Sequence, residues 1–129
     1  MGPAETYSVT LEPLGRTLPC RSDQTVLDAC LRDGVWLPHA CTHGTCSTCK
    51  VTVLEGRVNH NNVSAFALMD MERDEGRALA CTATPCSDLT IEAEVEVEDG
   101  VEHYPVRDYQ GRVTGIEDVA RDTRRLFIE

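Results

Sequence analysis

The stretch CTHGTCSTC, residues 41–49, sets three cysteines in one short loop, and a fourth, Cys81, follows well downstream. Two irons bridged by sulfide need four soft thiolates converging on a compact core, each iron tetrahedral in sulfur. The spacing C-x4-C-x2-C…C is one that [2Fe–2S] clusters use, so Cys41, Cys46, Cys49 and Cys81 are the expected ligands. Three would wrap the cluster from one loop and the fourth would arrive from a distant part of the fold. A centre held this way moves one electron at a time, which points to electron transfer. The rest of the loop suits a cluster, since Thr42, His43, Thr45, Ser47 and Thr48 are small or polar and Gly44 permits positive φ cheaply. Amide N–H groups and hydroxyls of such a loop can donate to cluster sulfurs.

Two other metal sites compete for these residues. Cys41 and His43 resemble the first half of a Rieske site, but Cys81 is followed by Thr82, Ala83 and Thr84, so the second Cys–His pair is missing. A four-thiolate zinc site can be drawn from Cys46, Cys49, Cys81 and Cys86, at the cost of leaving Cys41 idle. The other cysteines read as bland: Cys30 as a small buried hydrophobe, Cys20 at the end of a strand, and Cys86 as a thiol placed to replace Cys81 if that ligand were lost. His39, His43, His60 and His103 pair with no evident nucleophile, so no separate catalytic constellation is expected. Trp36, His39 and His43 flank the loop, either as packing or as a docking rim.

The length of 129 residues suits one modest core. A net charge of −10 argues against nucleic acid and anionic membrane surfaces, and it suits a partner with a basic patch or simply keeps the chain in solution. No apolar signal segment follows Met1 and no run is long enough to span a membrane, so a reducing cytoplasm with thiols committed to metal is expected.

Apolar alternation predicts strands over residues 6–11 and 16–21, joined by a turn at Pro13, Leu14 and Gly15. A helix capped by Ser22 or Asp23 should run to about Asp33, burying Val26, Leu27, Cys30 and Leu31 and closing at Gly34. A strand is predicted over 50–54, a loop over 59–62, and a short helix over 65–72 capped by Ser64, with Phe66, Met69 and Leu68 inward. Residues 73–76 should be exposed, and 78–81 deliver the fourth cysteine. Ile91, Ala93, Val95 and Val97 interleave with Glu92, Glu94, Glu96 and Glu98, predicting a strand whose carboxylate ladder blunts an exposed edge. Beyond a connector at 101–107, a strand and turn are expected over 109–115, a polar loop over 118–123 and a strand over 124–128. The resulting class is α+β, a mixed sheet with one principal helix and a short second helix.

The run GVWLPHACTHGTCSTCK, residues 34–50, with FALMD at 66–70 and SDL at 87–89, resembles the N-terminal ferredoxin domain of phenol hydroxylase reductases. It is similar more broadly to the reductase components of soluble diiron monooxygenases, including those for methane, propane and cyclic ethers. The resemblance implies a β-grasp [2Fe–2S] ferredoxin-like fold over residues 1–98, with Cys41, Cys46, Cys49 and Cys81 as ligands. It implies a linker at 99–108 and the start of a truncated flavin-binding barrel of the ferredoxin reductase type at 109–129. It further implies FAD and NAD(P)H in a longer protein. A flavin domain would then be the electron donor and a diiron hydroxylase component the acceptor.

Overall fold

Alternation at the start of the chain becomes a hairpin. In the computed structural model, which describes residues 5–95 and 104–129, β1 (Thr6–Glu12) pairs antiparallel with β2 (Arg16–Arg21), placing Val9 opposite Leu18. Val9, Leu11, Leu18 and Cys20 point into the core. The helix α1 (Val26–Arg32) packs on that face with Val26, Leu27, Ala29 and Cys30 buried, each of the larger side chains contributing about 1.5–3 kcal/mol. Its cap is Thr25, whose hydroxyl accepts the Asp28 N–H at 3.1 Å, and not the expected Ser22 or Asp23. Residues 21–24 first close a turn, with Gln24 N donating to Arg21 O at 3.0 Å, and this delays the helix. Gly34 terminates it at φ +82°, as expected, and Val35 N returns to Cys30 O at 2.8 Å.

After the cysteine loop come β3 (Lys50–Glu55), β4 (Val58–Asn59), α2 (Asp70–Asp74), β5 (Arg77–Leu79), β6 (Thr84–Pro85) and β7 (Leu89–Glu92). The sheet order is β2-β1-β7-β3-β5, with β1 and β7 parallel and the other pairs antiparallel, while β4 and β6 form a separate short ribbon. This is the mixed sheet and single principal helix of the expected β-grasp arrangement.

Three expectations need correction. The strand containing Ile91 lies at the centre of the sheet, between β1 and β3, so its glutamates do not guard an edge. Ile91 and Ala93 are buried and Glu92 and Glu94 exposed, as the alternation demands, but β7 ends at Glu92. Glu96, Val97 and Glu98 lie outside the described residues. The helix expected over 65–72 is instead a turn followed by α2. Ser64 O accepts Ala67 N and Leu68 N, Leu68 is buried, but Phe66 is 97% exposed and Met69 about half exposed. At the C-terminus β8 (Val113–Ala120) and β9 (Thr123–Ile128) form one hairpin around Arg121 and Asp122, where a longer loop was expected. Its apolar residues stay largely exposed, in keeping with a two-stranded ribbon that has no core of its own. The segment before it is tied to α1: Val106 N donates to Leu31 O at 2.9 Å and Arg32 reaches the Asp108 carboxylate at 3.1 Å.

Candidate functional site

The fold brings Cys41, Cys46, Cys49 and Cys81 to one end of the sheet. Cys49 is buried where the loop enters β3, and its carbonyl accepts Ala80 N at 3.0 Å. Cys81 sits in the turn after β5. That turn is held by the first amides of α1: Leu27 N donates to Ala80 O and Val26 N to Ala83 O, both at 2.9 Å. Helix amides that lack an intrahelical partner are thereby satisfied, and the fourth cysteine is fixed against the first three. On the other side Ser47 Oγ donates to Ala67 O at 2.9 Å and Ser64 N to Gly44 O at 2.9 Å, so residues 64–67 brace the loop.

The loop turns its backbone toward sulfur. His43 N, Thr45 N and Cys46 N lie 3.5, 3.4 and 3.4 Å from Cys41 Sγ. Together with the Thr45 hydroxyl, the largest influence, they hold the Cys41 thiol down to about 5, a thiolate at neutral pH. The Thr48 hydroxyl, 3.5 Å from Cys46 Sγ, leads in lowering the Cys46 thiol. Cys81 is opposite in character. Burial first, then the neighbouring Cys49 thiol, push it up to about 12, while the Gly44 N–H works against them. Thr42, a β-branched residue, adopts φ +63° to close the loop, which the sequence did not signal.

Cys46 interacts with the Cys41 side chain and Cys81 with the Cys49 side chain, and Cys81 also feels the charge of Cys41. Among the described residues no three His, Cys, Asp or Glu side chains converge on a point suited to one metal ion. Two linked pairs of cysteines suit a core with two irons, each of which takes two protein sulfurs. The alternative zinc set also loses Cys86. That thiol is exposed, is felt by the Tyr7 hydroxyl, and its backbone N is bound to Arg57 O.

Around the loop, His39 Nδ1 lies 2.7 Å from Leu37 O and stacks obliquely on Trp36, ring centroids 4.9 Å apart. His43 bridges Cys41 O at 2.7 Å and the Thr45 hydroxyl at 3.0 Å. Trp36 is half exposed. His103 lies outside the described residues. Cys20 and Cys30 are buried thiols raised by burial to about 11 and about 12, consistent with packing roles.

Sequence reasoning missed Glu72. It is the one buried charged residue among those described, 9% exposed. Its carboxylate accepts Lys50 Nζ at 2.7 Å and Met69 N at 2.9 Å, with Arg77 at 3.8 Å, joining β3, α2 and β5 beside Cys49. Methionine at position 69 hid the signal, because a capping box is sought behind Ser or Thr. The Lys50 ammonium first, and then the Met69 N–H, hold the Glu72 carboxyl below its ordinary value. Its stabilising effect is therefore full above the ordinary carboxylate pKa and disappears as pH falls through the lowered one. Thermal unfolding of Glu72→Gln should show a lower Tm than the parent at neutral pH, with the gap closing in acid. A gap independent of pH would contradict this role.

Fold and thiol arrangement together define a small iron–sulfur protein domain of the β-grasp type. Residues 9–86 match the model of the 2Fe-2S iron-sulfur cluster binding domain. The chain belongs to that family. It is 50% identical over 124 residues to the reductase component of phenol 2-monooxygenase from Pseudomonas sp. (strain CF600), covering 96% of this chain and 35% of that one. It is 51% identical over 124 residues to the phenol hydroxylase P5 protein of Acinetobacter pittii (strain PHEA-2), with the same coverage of each. Among solved structures it is similar to the Amycolatopsis cytochrome P450 reductase GcoB, with a TM-score of 0.80 and 41% identity over 95% of this chain and 35% of that one. The chain thus spans about a third of the length of the curated relatives it matches. Among the described residues no helix is long and apolar enough to cross a membrane.

Proposed function

We propose that this chain is the electron-carrying [2Fe–2S] domain of a reductase component serving a soluble diiron monooxygenase, with Cys41, Cys46, Cys49 and Cys81 as the cluster ligands. The observation that carries the reading is the meeting of the 41–49 loop with the Cys81 turn at one end of the sheet, joined by Ala80 N to Cys49 O, with three backbone N–H groups aimed at Cys41. When bound, the cluster takes up and gives back a single electron. The chain's own contribution is to hold and tune. Cys41 and Cys46 offer thiolates already favoured by N–H and hydroxyl donors, Cys49 and Cys81 offer a pair shielded from solvent, and the donors lower the cost of added negative charge. Loop residues on the exposed side bring this end of the sheet within reach of a partner.

The similarity to phenol hydroxylase reductases supports three further assignments. Residues 1–98 would form the ferredoxin domain, 99–108 a linker, and 109–129 the beginning of a flavin-binding barrel. FAD and NAD(P)H would be bound by a longer protein, whose flavin domain is the donor, and a diiron hydroxylase component would be the acceptor. The cytoplasm, where thiols stay reduced, is the compartment that suits this chemistry. Nucleic acid and membrane are not partners of a surface this acidic.

A potentiometric titration of the reduced protein tests the reading. The four-thiolate set predicts a midpoint of about −400 mV. A midpoint above zero would point to a different ligand set and overturn it.

A further inference from the structure

One cavity on this acidic chain has only basic residues for its polar lining. Between the end of β3, β4 and the end of α2 lies a space of about 240 Å³ bordered by Val53, Gly56, Val58, Gly76 and the four polar residues Arg57, His60, Arg73 and Arg77. The chain carries 22 Asp and Glu against 12 Lys and Arg, yet no carboxylate lines this space and three arginines do. Arg77 is shared with Glu72 and Glu75, each at 3.8 Å, but Arg57 and Arg73 have no ion-pair partner among the described residues. His60 Nδ1 and Arg73 Nε are the two buried side-chain polar atoms left without a hydrogen bond among those residues, and both belong to this cavity. Buried polar atoms in that condition are costly unless something fills the place.

We propose that Arg57, His60, Arg73 and Arg77 form a binding site for a phosphate-class dianion, either free phosphate or the phosphate of a monoester. Guanidinium groups present paired N–H donors that match the oxygens of such an anion. Arg57 and Arg73 bring two positive charges that no carboxylate among the described residues pairs, and a tetrahedral dianion offers acceptors to both. Gly56 adopts φ +95°, and a Cβ there would run into Asp88 O, so no side chain fits. The His60 ring is held toward its neutral form by burial and by Arg73, so the pocket does not depend on a fourth positive charge. This site is separate from the cysteine loop and does not rest on the electron-transfer reading.

Calorimetric titration of the cluster-loaded protein with inorganic phosphate tests it, with ribose 5-phosphate as a second arm. The expected result is saturable uptake of one anion per chain, weakened by about tenfold or more in Arg57→Gln and in Arg73→Gln, because each removes a charge-assisted donor pair. Tighter binding of ribose 5-phosphate would identify a monoester as the ligand, and equal binding a free anion. Arg57 is exposed, so Arg57→Gln carries the test if Arg73→Gln fails to fold. Absence of saturable uptake, or uptake unchanged in both variants, would overturn the proposal.

Discussion

Cys81→Ser is expected to leave the protein colourless and iron-free when purified without oxygen. Serine offers a harder, far less acidic oxygen donor where soft iron–sulfide chemistry needs a thiolate. The position cannot adjust, because its turn is fastened by Ala80 N to Cys49 O and by two α1 amides. Losing an outer partner of a metal site costs about 10–100-fold in affinity, and loss of the ligand should cost more. By its spacing Cys86 could stand in if Cys81 were lost. The structure removes that option, since Cys86 is exposed, lies beyond β6 and is near Tyr7. Cys86→Ser should therefore keep the parent's colour and iron content. Colour retained in Cys81→Ser but lost in the Cys81→Ser, Cys86→Ser double variant would show that this geometry is wrong.

Gly44→Ala should have the next largest effect. Gly44 sits at φ +86°, and a Cβ there would come within 2.9 Å of both Asn62 O and Thr82 Cγ2, and 3.3 Å of Val63 Cα. Left-handed backbone costs a non-glycine residue about 1–2 kcal/mol, and forcing extra volume against backbone adds about 1–3 kcal/mol. That sum is a large part of the stability of about 5–15 kcal/mol typical of a domain. The displacement would also move the Gly44 N–H that faces Cys81 and the carbonyl that holds Ser64. The ratio of visible to ultraviolet absorbance should fall sharply, and Tm with it. Gly15→Ala is the control: φ is +75° there, but nothing lies within 4 Å of its Cβ position. If the two variants behave alike, crowding at the cysteine loop is not what demands glycine.

The cysteine loop was the most legible part of this chain because its chemistry depends on residue identity at fixed spacing. Gly44 and Gly34 were legible for a similar reason: only positive φ requires them, and both have it. What failed depended on distant contacts. The alternation from Ile91 gives the same pattern on a central strand as on an edge, so the place of β7 between β1 and β3 could not be read from it. Phe66 suggests a buried anchor by its type, yet the brace that Ser64 and Ala67 make to the loop turns it outward. Glu72 escaped notice because it lies on α2 while its partners Lys50 and Arg77 lie on β3 and β5, and one charged residue among many carries no mark of burial.

A [2Fe–2S] carrier and a zinc module differ in metal, in sulfide and in spin, so one preparation separates them. Iron and acid-labile sulfide should be counted on protein purified without oxygen, and the dithionite-reduced sample examined by EPR. The predicted result is two irons and two sulfides per chain with a rhombic S = 1/2 signal, about what a four-thiolate [2Fe–2S] centre gives. A colourless protein carrying one zinc and no EPR signal would contradict the account at its centre.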